Sequence, residues 1–266
     1  MDEEKQINEN QDTDSTEEST TTPPDEKVMP FLEHLEELRQ RLLKSILSII
    51  LFSIGSYFVS HEIMQLLLRP YPSNKKLIFL APTEGFIVHI KIALFAGILL
   101  SLPVIFYQLW QFVSPGLYKK EKKFIPVFVF VSVFFFAVGG LFCYFIIIPY
   151  GLNFLLSFGG DQLEPAIRIQ DYLKFVTLLI LVFGAIFELP LLAYFLTRLG
   201  ILTPDFLRDK RRYGIVLIFF TAAVLTPPDV FTQVCLALPL ILLYEISIWV
   251  SKLVYRKQKR EEDADA

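Results

Sequence analysis

The chain has 266 residues, of which 53% are hydrophobic and 26 are phenylalanine, and its mean hydropathy is +0.49. A soluble domain of this length carries far fewer apolar runs, so the composition excludes an ordinary soluble protein and predicts an all-α protein that crosses a membrane several times. The net charge of −3 conceals a strong segregation, because residues 1–28 carry −8 and the remainder carries +5.

Residues 1–28 predict a disordered acidic tail on the cytoplasmic side. They are rich in Asp, Glu, Ser and Thr, and such a segment cannot bury enough apolar surface to offset the entropy lost on ordering. The segment lacks the basic start and apolar core of a cleavable signal, and it lacks the arginines of an organellar transit peptide. Residues 29–252 then predict one membrane domain, and residues 253–266 a charged cytoplasmic tail.

Residues 31–43, FLEHLEELRQRLL, predict an amphipathic helix at the membrane surface that runs into the first span. Four apolar residues recur at helical spacing on one face: Phe31, Leu35, Leu38 and Leu42. Glu37 and Arg41 are four residues apart on another face, where a carboxylate and a guanidinium can pair.

The apolar runs predict six spans, at about 42–59, 85–107, 124–149, 171–196, 213–225 and 230–250. The last two runs are short. The fifth has about thirteen residues and reaches only about 20 Å, against a hydrocarbon core of about 30 Å. It therefore requires a locally thinned membrane, or the last two runs form a re-entrant hairpin. Long polar connections are predicted at 60–84, which contains Pro70, and at 150–170.

The distribution of Lys and Arg predicts the orientation. Seventeen lie on the side that holds both termini and six lie on the other side. By the positive-inside rule, both termini are cytoplasmic. Because the lack of a transit peptide favours a bacterial protein, we expect a multi-pass protein of a bacterial inner membrane. The positive-inside rule also accounts for the basic loops, so no nucleic-acid partner is predicted.

Enzyme chemistry has no visible basis in the sequence. The three histidines are far apart, and no HExxH, GxSxG or phosphate-loop pattern occurs. The two cysteines, Cys143 and Cys235, lie in apolar runs and have no metal-ligand spacing. The sequence therefore predicts a protein that is not an enzyme, with no metal site and no cofactor.

Two acids near the basic side are candidate binding residues. Glu37 lies where the first helix enters the membrane, and Glu121 lies among four lysines in YKKEKK. In the simpler interpretation, each carboxylate neutralises adjacent cations. Alternatively, both face one cytoplasmic hollow and present carboxylates to a cationic ligand, because guanidinium groups pair bidentately with carboxylates.

Other polar residues lie within or beside the later spans. Glu188 is a carboxylate inside the fourth apolar run, where a charge costs about 2.5–3.5 kcal/mol. Three interpretations stay open for it: a hydrogen-bonded protonated acid, a proton-relay acid, and a polar docking point for a partner's helix. Asp229 and Gln233 are four residues apart at the start of the sixth span, where helix capping after Pro227-Pro228 is the simpler interpretation.

The chain resembles the TatC family, the largest membrane component of the twin-arginine translocase. Five stretches carry the resemblance in order and spacing, from about residue 29 to 252: HLEELRQRLL, PVIFYQLWQFVSPGLYKKEKK, FGAIFELP, LTPPDVFTQV and LLYEISIWVSK. The resemblance implies a rigid, cupped bundle of six helices and export of folded proteins driven by the proton-motive force. It also implies partners: the twin-arginine signal peptides of cargo proteins, TatA- and TatB-type single-span proteins in a multimeric complex, and the lipid bilayer.

The family's functional positions fall on named residues here. By resemblance, the signal-binding residues are Glu37, Arg39, Phe112 and Glu121, the intramembrane polar or partner-contacting residues are Glu188, Asp229 and Gln233, and Pro70 is structural. Two other functions remain in competition. One is a proton-coupled small-solute transporter that uses Glu188, although such proteins usually have matching halves, which this chain lacks. The other is a scaffold without direct substrate contact.

Overall fold

The computed structural model describes residues 31–72, 77–113, 125–157, 166–225 and 230–265, and it is all-α over these ranges. The acidic segment 1–28, Glu121 and Asp229 lie outside the described residues. The helices are α1 (Phe31–Tyr57), α2 (Ser60–Leu68), α3 (Glu84–Val113), α4 (Ile125–Phe142), α5 (Ile148–Ser157), α6 (Ile169–Ile186), α7 (Leu189–Arg198), α8 (Pro204–Asp209), α9 (Arg211–Leu225) and α10 (Val230–Asp265). A π-helical turn, Cys143–Ile147, joins α4 to α5.

Four stretches among the described residues are long and apolar enough to cross a membrane: Glu84–Val113, Ile125–Ser157, Ile169–Arg198 and Gln233–Arg260. The pair α1 and α2, bent by 86°, makes a fifth if it forms one span. Helix α9 has 15 residues and a length of about 22 Å, so the predicted short fifth run is confirmed as a short helix. Six spans with cytoplasmic termini therefore stay a prediction.

The last helix differs from the prediction that both final spans are short. Helix α10 has 36 residues and continues through Pro239 and through the charged residues that were expected to form a tail. After Val250 the sequence is rich in Lys, Arg, Gln and Glu, which are good helix formers, so the helix extends beyond the apolar run.

Helix α2 lies where the sequence predicts a polar connection, so that part of the prediction is wrong. Its buried side contains Leu67, and two tyrosine hydroxyls bind its last turn. Tyr172 donates to the Leu67 carbonyl oxygen at 2.9 Å and Tyr144 donates to that of Leu66 at 2.7 Å. These bonds attach α2 to later parts of the chain. The Leu66 carbonyl oxygen also accepts a hydrogen bond from the Arg69 backbone nitrogen at 3.1 Å.

Glycines bring the long helices into close contact. A Cβ atom on Gly97 of α3 would lie 2.7 Å from the backbone nitrogen and Cα of Ser53 in α1. A Cβ atom on Gly139 of α4 would lie 2.7 Å from the Phe183 carbonyl oxygen of α6. Small residues at such crossings are the usual means by which membrane helices pack, because apolar surface gains little by leaving lipid.

The two connections at the start of α3 and α6 are joined by an ion pair. Glu84, at the first position of α3, binds Arg168, which immediately precedes α6. The Glu84 side chain is 3% exposed and also accepts a hydrogen bond from the Leu80 backbone nitrogen at 3.2 Å. An isolated parallel bridge between Ile78 and Arg168 runs alongside. This cluster lies at the opposite end of α3 from Phe112.

Candidate functional site

Glu37 and Arg41 pair on α1, as their spacing predicts. Both side chains are largely buried, and the Arg41 Nε lies 2.8 Å from the Glu37 Oε1. The Arg41 Nη2 binds the same oxygen. One carboxylate oxygen of Glu37 is therefore fully engaged by a guanidinium of its own helix, which confirms the local pairing and leaves its role in binding open.

Arg41 is in turn held by the end of α3. Its Nη1 donates to the Gln111 Oε1 at 2.8 Å and approaches the Gln108 Oε1 at 3.4 Å. Gln108 and Gln111 are three residues apart, so they present their amides from one side of the helix. The guanidinium is thus fixed between two helices, and it fixes the orientation of the Glu37 carboxylate.

His34 connects Glu37 to Phe112. Its ring stacks on Phe112 with centroids 4.3 Å apart and planes 8° apart, and its Nδ1 lies 3.5 Å from the Glu37 Oε2. That second oxygen of Glu37 is buried and has no hydrogen-bond partner among the described residues. The structure therefore brings two of the predicted binding residues together around one available carboxylate oxygen.

The other predicted binding residues lie apart from this cluster or outside the described residues. Arg39 is on a different side of α1, with a side chain that is 71% exposed and a 3.3 Å contact to Glu36. Glu121 falls in the undescribed range 114–124, between the end of α3 and the start of α4.

Glu188 lies at a break in the fourth apolar run, between α6 and α7, rather than within one regular helix. The residue is 6% exposed, and its Oε1 has no hydrogen-bond partner among the described residues. Ser132 and the backbone of Phe136 on α4 are near its carboxylate. Ser132 accepts a hydrogen bond from the Trp110 indole at 2.9 Å, so this acid faces a wall built by α3 and α4.

Gln233 joins two helices, and Pro70 lies in a turn. The Gln233 side chain donates to the Phe219 carbonyl oxygen at 3.0 Å and ties the first turn of α10 to α9. Pro70 follows α2 in a turn that the Tyr71 nitrogen closes on the Leu68 oxygen at 3.0 Å. Asp229 lies outside the described residues.

The sequence pattern does not single out His34, Gln108 or Gln111 as parts of this cluster. The two glutamines share a helix face, which was the available signal, but their partner Arg41 lies 67 and 70 residues earlier in the chain. His34 stacks on a residue of another helix in the same way. Local periodicity predicts which residues share a face, and it does not predict which faces meet.

Comparison with known proteins agrees with this arrangement. The family model described as Sec-independent protein translocase protein (TatC) matches residues 33–239. A TatC protein of Desulforapulum autotrophicum is 41% identical over 246 residues, which cover 91% of each chain. A TatC protein of Aquifex aeolicus is 45% identical over 89% of this chain and 100% of its own.

A solved structure gives the same result in three dimensions. The crystal structure described as the twin-arginine translocase receptor TatC superposes with a TM-score of 0.76 at 40% sequence identity, and the match covers 83% of this chain and 99% of that chain. Family model, sequence relatives and fold therefore agree over most of the described helices. The chain belongs to the TatC family of Sec-independent protein translocases, whose members are components of protein transport across membranes.

Proposed function

We propose that this protein is the receptor for twin-arginine signal peptides in the bacterial cytoplasmic membrane. In this proposal the protein has six spans, both termini in the cytoplasm, and TatA- and TatB-type single-span partners in a multimeric complex. The proton-motive force drives export of the folded cargo. The observation that carries the proposal is the buried Glu37 Oε2, which has no hydrogen-bond partner among the described residues and lies beside the stacked pair His34 and Phe112.

A guanidinium ligand supplies what this oxygen lacks. A buried acceptor without a donor costs about 1–3 kcal/mol, and a charge-assisted bond from an incoming arginine recovers that cost. Arg41 already holds Oε1, so a ligand that reaches the buried Oε2 by moving the His34 ring does not have to displace Arg41. His34 covers one face of Phe112, and a guanidinium plane can stack on the other face.

Glu121 and Arg39 extend the proposed site. The connection that carries Glu121 begins two residues after Phe112, so it supplies the second carboxylate for the second arginine of the signal. Arg39 is exposed on another side of α1, so its contact is with a part of the signal beyond the arginine pair.

Export of a folded reporter tests the proposal in cells where this chain is the only TatC-type protein. We expect a reporter with an Arg-Arg signal to be exported and its Lys-Lys version to stay inside. Glu37→Ala combined with Glu121→Ala should abolish export and should abolish crosslinking from a photoreactive group placed beside the arginine pair of the signal. Undiminished crosslinking to the double variant would contradict the proposed site.

Glu36→Ala is the matched control for the export experiment. Glu36 lies on the same helix turn as Glu37, but it is exposed and contacts only Arg39 among the side chains described. Removing it takes away one negative charge near the site and leaves the Glu37 network intact. We expect export at the wild-type level, and a loss equal to that of the double variant would show that general acidity, rather than Glu37 geometry, attracts the signal.

We assign Glu188 to a contact with a partner's helix. Its Oε1 is buried at a helix break and has no hydrogen-bond partner among the described residues, so a partner's helix that packs here and opens the break can supply one. Asp229 and Gln233 belong to the same class of contact in this proposal. The competing function, a proton-coupled small-solute transporter, rests on the same buried carboxylate.

Neutral and truncated variants of Glu188 distinguish these functions. Glu188→Gln keeps the hydrogen-bonding shape without a titratable proton, so it should retain most of the export activity. Glu188→Ala removes the polar contact and should reduce co-purification of TatA- and TatB-type partners. A complete loss of export in the Gln variant would favour a proton site over a docking site.

A further inference from the structure

Cations line a cavity between α8 and the far end of α10. The cavity has a volume of about 420 Å³, and its basic residues are Arg208, Lys252, Arg256, Lys259 and Arg260. Asp205 and Asp263 also line it, so five cations face two carboxylates. The four cations on α10 recur at spacings of four, three and one. This spacing places them along the side of α10 that faces α8.

These five cations differ from their basic neighbours in having no ion-pair partner in the part of the chain that the structure describes. Over the ranges that the structure describes, none of the five forms an ion pair or a side-chain hydrogen bond. Nearby, Arg211 binds Glu245, and the Lys210 ammonium lies 5.4 Å from the Tyr213 ring centroid. Orientation in the membrane accounts for an excess of cations on one side of the protein. It does not account for five cations that converge on one concave surface without an ion-pair partner among the described side chains.

The cavity lies at the depth where the last apolar stretch ends. A second cavity of about 260 Å³ adjoins it and is lined by Trp249, Leu253 and two of the same cations, Lys252 and Arg256. Trp249 is 69% exposed and Leu253 is 54% exposed. Tryptophan is typical of the headgroup level of a membrane. The cations therefore lie at headgroup depth, beside an exposed apolar surface that acyl chains can cover.

We propose that this cavity binds an anionic phospholipid, with the phosphate of its headgroup held by Arg208, Arg256 and neighbouring cations. The acyl chains lie over Trp249 and Leu253. A basic pocket between helices next to exposed apolar surface is the arrangement that recognises acidic headgroups. In the orientation proposed above, the lipid belongs to the cytoplasmic leaflet. Arg208 lies on α8 and the other cations lie on α10, so the bound headgroup bridges these two helices.

A free phosphate ion and a lipid phosphate share the same chemistry, and binding to the purified full chain in detergent separates them. We expect native mass spectrometry to show retained phosphatidylglycerol and much weaker retention of phosphatidylcholine. Inorganic phosphate should not displace the phosphatidylglycerol at equal concentration, because it gains nothing from Trp249 and Leu253. Equal retention of the two lipids, or displacement by inorganic phosphate, would overturn the proposal without the use of any variant.

Paired substitutions locate the site. Arg208→Gln with Arg256→Gln should weaken phosphatidylglycerol binding by about tenfold or more, since each cation near a headgroup contributes about 1 kcal/mol. Lys44→Gln with Arg212→Gln removes the same charge from outside the cavity and should leave binding within about twofold. Circular dichroism of both pairs should match the wild type, because the cavity cations face water or lipid. Equal weakening by the two pairs would show general charge attraction and would overturn the assigned site.

Discussion

Gly97→Leu is expected to prevent α1 from packing against α3 and to leave little folded protein in the membrane. A side chain on Gly97 meets the backbone nitrogen and Cα of Ser53, which cannot rotate out of the way. Even Gly97→Ala places its Cβ 2.1 Å from the Ser53 Oγ, so α1 has to move. Overpacking of this kind costs about 1–3 kcal/mol for a small increase in volume, and leucine adds far more.

Thermal unfolding in detergent, monitored by size-exclusion chromatography of the protein that stays folded, measures this effect. Gly55→Ala is the control, because Gly55 lies on α1 and a Cβ atom there meets nothing within 4 Å. We expect Gly55→Ala to match or slightly exceed the wild type, since alanine is the better helix former by about 1 kcal/mol. Gly97→Ala should unfold at a clearly lower temperature.

Ser53→Ala examines which part of the contact matters. It removes the hydroxyl and leaves the Ser53 backbone in place, so it should not rescue Gly97→Ala. A full rescue would show that the two helices meet only through the Ser53 side chain. The close approach matters for the candidate site as well. Glu37 lies on α1 and Gln111 lies on α3, so their hydrogen-bond network depends on the relative position of these two helices.

Properties of single helices could be predicted from the sequence, and the Glu37–Arg41 pair is the clearest case. Spacing alone predicted the pair, and the 2.8 Å contact confirms it. The amphipathic start of α1 and the short α9 were also predicted, because a helix shows its periodicity and length directly in its residues.

Features that join distant parts of the chain could not be predicted in the same way. The contact of Arg41 with Gln111, and of His34 with Phe112, depends on the crossing of α1 and α3. Helix α2 begins with Ser60, His61 and Glu62, and this polar start concealed the apolar face that follows. The break at Glu188 was concealed for the opposite reason, because an apolar run continues on both sides of it.

Helix α3 runs from the Glu84–Arg168 ion pair to the candidate site around Glu37. It has 30 residues and a length of about 45 Å, and it carries Gln111 and Phe112 near one end and Glu84 at the other. The packing of α1 at Gly97 lies between them. The Glu84–Arg168 pair holds the start of α3, at the end of the helix opposite the candidate site.

Glu84→Ala is expected to loosen the connection before α3 and to accelerate its cleavage by added protease several-fold. The substitution removes the carboxylate from Arg168, whose Nε is already buried without a hydrogen-bond partner among the described residues. It also removes the acceptor of the Leu80 nitrogen. Only the carboxylate of this pair is buried, and the Arg168 side chain is 40% exposed, so water solvates part of the arginine charge once Glu84 is gone. The expected loss is therefore that of one partly exposed ion pair and one backbone hydrogen bond. Glu84→Gln keeps an acceptor for Leu80 and should have an intermediate effect.

The exposed pair of Arg211 and Glu245 provides the matched comparison. Both pairs join an arginine Nη2 to a glutamate across distant parts of the chain, but the Arg211 and Glu245 side chains are 49% and 41% exposed. Exposed pairs contribute little, so Glu245→Ala should leave the cleavage rate and the unfolding temperature near the wild type. Exchanging the partners, Glu84→Arg with Arg168→Glu, should recover part of the protection that Glu84→Ala loses. If Glu84→Ala resists protease as well as Glu245→Ala does, burial of the carboxylate is not what holds this end of α3.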